Sequence, residues 1–293
     1  MKTQTFGVEI ELTGITRRDA AKVIADYFGT TSNASGTYYD VYEATDRQGR
    51  KWKAMSDGSI DTEGRGSAYS CEIVTPICRW EDIADIQEIV RQLRHKGAKA
   101  NASCGIHVHV GGEQHTAKTL RNLVNIMASK EDLLFKSVGV SASRASRWCK
   151  KTEHSFVEQM NRTKPTSKDR VERIWYGGAS HRGSHYDSSR YHALNLHSLW
   201  QGKGIEFRCF NGTTHAGKIK TYIQLCLAIS HQALTQKGAS AKKTASANEK
   251  YTFRTWLLRM GMIGDEFETA RKFLLENLSG DIAFKNGRPT VAA

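Results

Sequence analysis

Proline is nearly absent. Pro76, Pro165 and Pro289 are the three in 293 residues, against 25 glycines, so glycine must make most of the chain's turns. No C-x-x-C pair occurs among the six cysteines, and their spacings are irregular. That argues against a thiolate zinc site. Without an export signal it also argues against a disulfide framework, and the cysteines read as buried small hydrophobes. No apolar run approaches the roughly 18–20 residues that a membrane span needs. Met1-Lys2-Thr3-Gln4 leads straight into a strand pattern with no signal-peptide core. A cytoplasmic protein without a membrane partner is the expectation. Acids are in short supply too: 30 Asp and Glu face 43 Lys and Arg, a net charge of +13. Such an excess attracts an anion: a nucleotide, a nucleic acid, an acidic substrate or an anionic surface. No G-x-x-x-x-G-K-[ST] loop is present, which excludes a P-loop enzyme, and no H-E-x-x-H, which excludes a helix-borne zinc protease. Nor does any helix-turn-helix, zinc-finger or ribonucleoprotein-type motif appear.

What is present suffices for a sizeable core, with 39% apolar residues and one large domain's length. Alternation predicts strands over residues 6–12, 38–42, 51–55, 69–75, 105–110, 190–199 and 204–210, the last two as a hairpin around Gln201-Gly202-Lys203. A 3.6-residue period predicts helices over 16–28, 80–95, 116–138 and 215–234. Strands and helices do not alternate as βαβ units, so the class is α+β with a mostly antiparallel sheet. Residues 1–236 are expected to form the catalytic unit, 237–248 a linker or exposed loop, and 249–293 a helical extension packed on the same domain.

The chemistry lies on strand faces. Successive side chains alternate, so Glu9 and Glu11 share one face of the first strand, opposite Val8, Ile10 and Leu12. His107 and His109 share a face in Gly105–Val110, and Glu206 and Arg208 oppose Ile205, Phe207 and Cys209. Glu72 interrupts an otherwise apolar strand. Any one such strand is an ordinary solvated face, and the bland reading of Glu206 with Arg208 is an ion pair on one strand face. The set is harder to dismiss, because solvated faces usually mix Lys, Thr, Ser and Gln. Carboxylates crowded in one concave space repel each other, and divalent cations relieve that repulsion. Carboxylates with an imidazole suit magnesium or manganese, and a nearby arginine suits phosphate oxygens. Metal-dependent phosphoryl chemistry on a sheet is the inference.

At these residues the sequence resembles the amidoligases, a family related to glutamine synthetase and glutamate–cysteine ligase. The motifs that carry the resemblance are F-G-V-E-I-E-L, D-G-S-I, C-E-I-V-T-P, G-I-H-V-H-V-G, N-L-H and G-I-E-F-R-C-F-N-G-T, in that order from residue 5 to about 235. The resemblance implies a glutamine-synthetase-like catalytic fold, a curved antiparallel sheet backed by helices. It implies ATP-dependent joining of a carboxylate to an amine through an acyl phosphate, with magnesium or manganese ions between phosphates and carboxylates. Carried over by residue, it makes Glu9, Glu11, Glu72, His107 and Glu206 metal ligands. His109 would lie near the nucleotide phosphates, and Arg208 would stabilise the transferring phosphoryl group. Asn195 would hold the substrate or a metal-bound water, and Asp57 would orient the acceptor or the amine. A second acid close to Glu72 has no clear counterpart; Glu63 is a distant candidate.

Arg182 lies in, and Arg190 just after, a Gly-, Ser- and His-rich stretch, 176–189, that reads either as a lid gripping ATP or substrate or as a solvated loop. Residues 141–173 hold nine Lys and Arg against Glu153, Glu158, Asp169 and Glu172. They read as a solvated helical face or as compensation for phosphate and an acidic substrate. A carboxylate–amine ligase acting on small-molecule or peptide acids and amines is the leading expectation, with homo-oligomer formation possible. A phosphotransferase of the same fold and a basic nucleic-acid-associated protein are the alternatives.

Overall fold

The alternating stretch at the start of the chain becomes the central strand of the sheet. The computed structural model describes residues 1–36 and 40–286. Its strands are β1 (Phe6–Leu12), β2 (Ser32–Ala34), β3 (Tyr42–Thr45), β4 (Lys51–Met55), β5 (Cys71–Val74), β6 (Gly105–Val110), β7 (Leu194–Asn195) and β8 (Ile205–Asn211). They form one open, curved, antiparallel sheet in the order β2-β3-β4-β5-β1-β6-β8-β7. With the helices this is the α+β class that the element order predicts. Tyr38 and Tyr39 of the predicted strand 38–42 lie outside the described residues, and the strand there starts at Tyr42.

The helices are α1 (Arg17–Phe28), α2 (Ile83–His95), α3 (Ala117–Val138), α4 (Ala142–Arg147), α5 (His154–Thr163), α6 (Lys168–Trp175), α7 (His197–Trp200), α8 (Ala216–Thr235), α9 (Glu249–Arg259) and α10 (Glu268–Glu276). Val8, Ile10 and Leu12 are buried with Ile106, Val108 and Phe207 in one core. α8 packs on β1 and β6, flanked by α2 and α3 and covered by α10, while α1 packs on β2 to β5. Being enclosed, α8 is apolar on nearly all sides, as a core helix must be. Thr16 and Thr116 cap α1 and α3 by accepting the backbone N–H three residues on. No described helix is long and apolar enough to cross a membrane. All six cysteines are buried free thiols.

The predicted hairpin 190–210 forms only in part. Leu194 and Asn195 pair with Phe207 and Glu206, and then the chain turns into α7. The cause is local: the Asn195 side-chain oxygen accepts the His197 N–H at 2.8 Å, which starts a turn and ends the strand. Gly204 then needs a positive φ of 90°, and a Cβ there would stand 2.7 Å from the Val110 carbonyl oxygen.

The second departure is a β-bulge. Val108 pairs with Phe207, but Ile106 pairs with Phe210, so β8 carries one extra residue opposite His107. Directly opposed residues share a face, so Phe207 and Phe210 both face the helices, three positions apart. Strict alternation would have put Phe210 beside Glu206 and Arg208. Phe210 instead stacks on Tyr222 of α8, at 4.2 Å between ring centroids.

Candidate functional site

The face of the sheet away from the helices gathers the predicted residues. Register decides which of them meet. Glu11 stands opposite Glu72, Glu9 opposite His107, His109 opposite Glu206, and Glu206 opposite Asn195. One polar row thus crosses five adjacent strands. Glu9 is its hub, with one carboxylate oxygen 3.0 Å from His107 Nδ1 and the other 3.1 Å from His109 Nε2. His107 Nδ1 also lies 3.7 Å from Glu206, and its Nε2 lies 3.7 Å from Glu11. Arg208 pairs with Glu206 on their shared strand. The backbone N–H of Gly105 donates to Glu11 at 2.5 Å.

Burial makes this row electrostatically tense. Burial pushes the Glu72 carboxyl well above the ordinary carboxylate range, and the charges of Glu9, Glu11 and Asp57 push it further. Burial likewise raises Glu11, against the pull of His107. For Glu9 burial pushes up, but the charges of His109 and His107 and the hydrogen bond with His107 outweigh it and hold the group well below that range. Glu206 is also held low, because Arg208 and His109 overcome its burial. His109 is raised: Glu9 and Glu206 outweigh a burial that would lower it.

A donor set of this kind fits divalent cations. Among the described residues, three groups offer ligand atoms within 4.8 Å of one another: Glu9 with His109 and Glu206, Glu9 with Glu72 and His107, and Glu11 with Asp57 and Glu72. Nε2 of both His107 and His109 is buried without a hydrogen bond. The 3.1 Å approach of His109 to Glu9 is off the hydrogen-bonding direction. Orphaned imidazole nitrogens among acids that cannot all be charged are what a cation would satisfy. Oxygen-rich sets with at most one imidazole favour magnesium or manganese over zinc.

A cleft of about 1120 Å³ opens over the row. Glu9, Glu11, Glu72, His107, His109, Arg208, Asp57 and Arg190 line it. Asp57 supplies the second acid near Glu72. Its carboxylate is fixed by the N–H and hydroxyl of Ser59, both at 2.6 Å. Glu63 lies away from the cleft, 3.4 Å from Asn101. Three predicted residues do not line it: Glu206, which stays buried in the row, and two that are placed elsewhere. Asn195 does not line the cleft; its amide is buried and donates to Glu206 at 2.6 Å. Arg182 does not line it either, because its guanidinium pairs with Glu172 of α6.

Sequence reasoning did not single out Arg144. Arg144 is buried in the cleft, donating to the Cys104 carbonyl at 3.0 Å. Its guanidinium crosses the start of β6, where a Cβ on Gly105 would stand 2.2 Å from it. In a stretch with nine cations nothing marks this one. Only its neighbour in space, a glycine on another element, does.

Clustered acids, imidazoles and an arginine at the base of a large cleft, on the bare face of an antiparallel sheet, are the build of an enzyme rather than of a docking module. The class becomes specific by family: the one described as "putative amidoligase enzyme" matches residues 2–230. The chain belongs to this amidoligase family, and its activity is of the ligase type. No curated protein matches the chain.

Proposed function

We propose that the protein is an ATP- and Mg²⁺- or Mn²⁺-dependent carboxylate–amine ligase that activates its acid as an acyl phosphate. The γ-phosphoryl group of ATP would pass to a carboxylate oxygen of the acid, releasing ADP. An amine would then attack the acyl carbon, expel inorganic phosphate and lose a proton to leave the amide. The carrying observation is the set of three interlocked ligand groups, sharing Glu9 and Glu72, beside Arg208.

Held by Glu9, Glu11, Glu72, His107 and Glu206, divalent cations would supply the positive charge that offsets the phosphates. Arg208 would neutralise the transferring group, its burial strengthening that interaction. His109, 3.1 Å from Glu9 on one side and 3.2 Å from the Ser198 hydroxyl on the other, would lie beside the phosphates. Asp57, held by Ser59 and facing the cleft, would draw in the substrate's ammonium group and orient the amine that attacks once that group has lost a proton. Asn195 would act on Glu206 rather than on substrate.

Incubation with ATP, Mg²⁺ and pooled acids and amines tests this reading. ADP and phosphate whose release needs both an acid and an amine are expected. AMP with pyrophosphate would overturn the acyl phosphate. ADP with a stable phosphorylated product would instead mark a phosphotransferase.

A further inference from the structure

One wall of the cleft differs in chemistry from its floor. The Arg147 guanidinium lies 4.6 Å from the ring centroid of Trp148, and Trp148 meets Tyr191 edge-on at 5.4 Å. The Arg190 guanidinium lies 5.8 Å from the rings of both Tyr191 and Tyr186. All five side chains line the same cleft as Glu9 and Arg208.

Two features decide what this wall can hold. The rings already carry guanidiniums over them, so they are not open platforms for a nucleobase; they brace the cations. The cations, in turn, lack acids. Arg182 and Arg208 are paired with Glu172 and Glu206. Arg147 and Arg190 have no carboxylate partner among the described residues, and Arg190 donates to the His185 carbonyl at 3.2 Å. A ring-braced guanidinium keeps its planar N–H edge for an oxyanion and loses little freedom on gripping one. Arg144 adds a third: its Nη atoms meet carbonyls rather than acids, and its buried Nε has no partner.

Position then separates the two sources of oxyanion. A triphosphate is drawn to Arg208 and the cation ligands on the floor. The wall instead climbs outward, to exposed Arg147 and to Tyr186, which is 65% exposed at the rim. We propose that this wall binds further carboxylates of the acid substrate, so that the acid is a polycarboxylate, such as a dicarboxylic acid or an acidic peptide, rather than a simple monocarboxylic acid. Calling the bound acid a substrate rests on the ligase reading; the binding itself does not.

The test is calorimetry without nucleotide, using triglutamate and tricarballylate as probes and triglutamine as the neutral counterpart. Wild-type protein should bind the two polycarboxylates and not triglutamine. Arg147→Gln and Arg190→Gln should each weaken that binding about tenfold or more, the range of a charge-assisted hydrogen bond. Arg190→Lys should recover only part of it. Arg173→Gln, the same charge change at an exposed arginine outside the cleft, should leave it unchanged, and Mg·ATP affinity should stay within about twofold throughout. Several results would overturn the proposal: no polycarboxylate binding, an equal loss in Arg173→Gln, or loss of Mg·ATP affinity in place of acid affinity, which would assign the wall to phosphates. Polycarboxylate binding without acid-dependent ADP release would sink the ligase reading and leave the wall. Ligase turnover whose KM for the acid ignores both arginines would do the reverse.

Discussion

At the residue scale, Glu9 and Asn195 separate ligand from support. Glu9 belongs to two of the three ligand groups and touches both imidazoles. Glu9→Gln keeps the shape and removes the charge. It should abolish Mg²⁺-dependent turnover and weaken Mn²⁺ binding, read by calorimetry; wild-type values would remove Glu9 from the ligand set. Asn195→Ala should act more gently, through a Glu206 left free to rotate, with metal affinity falling about 10–100-fold as for other outer-shell partners. If KM for the acid rises while metal affinity holds, Asn195 touches substrate after all. Glu9 with Glu11, His107 with His109 and Glu206 with Arg208 were readable because the two members sit two positions apart in a strand, and Glu72 because it is a lone acid in an apolar one. Asp57 was readable only through the resemblance at D-G-S-I, and its place beside Glu72 was not. That pairing comes from a turn between Ser59 and Ser70, which hydrogen-bond its side chain and its backbone.

At the scale of elements, the contact between α3 and α8 carries a pH dependence. Just before α3, His115 has Nε2 2.9 Å from Ser230 of α8, and Thr119 lies 3.2 Å from its Nδ1. Burial, helped by the charge of Lys168, pushes its pKa from 6.5 down to about 4. The unfolded chain therefore takes up a proton near pH 6.5 while the fold resists until about pH 4. Stability should be fully present above pH 6.5 and fall as pH drops toward 4. This one group accounts for about 3 kcal/mol. Urea unfolding at pH 7 and pH 4.5 should show a smaller loss in His115→Gln than in wild type; equal losses would refute the assignment. The long helices and β1, β5, β6 and β8 were all visible as periods in the sequence. β7 was overdrawn, since alternation through residues 190–199 looks the same whether or not Asn195 caps the next turn. The bulge in β8 was invisible, because an extra residue shows only when two strands are laid side by side.

For the whole molecule, the buried acid row costs stability, which the proposed cations would offset. Glu72 is only 8% exposed and faces Glu11 directly. Without metal at neutral pH, Glu72→Gln should raise the melting temperature by relieving that repulsion. Mn²⁺ should raise the melting temperature of wild type, by about 2.7 kcal/mol of stabilisation at a hundred times its Kd, and that of Glu72→Gln by clearly less. A melting temperature indifferent to Mn²⁺ in wild type would exclude the cation site. The +13 charge finds its place at this scale too. It is not spread evenly around the acids: Arg208 and Arg144 are buried among them, while Arg147 and Arg190 form one wall. The sequence by itself determined the α+β class, the core-facing alternation and which residue types share a strand face, because side-chain direction is periodic in the chain. Only the tertiary structure decided that Glu72, Glu9, His107 and Glu206 meet, that Asn195 serves Glu206, and that Arg182 turns away to Glu172. Those are matters of strand order, register and one extra residue in β8, set by how separate strands pair and by nothing local to any one of them.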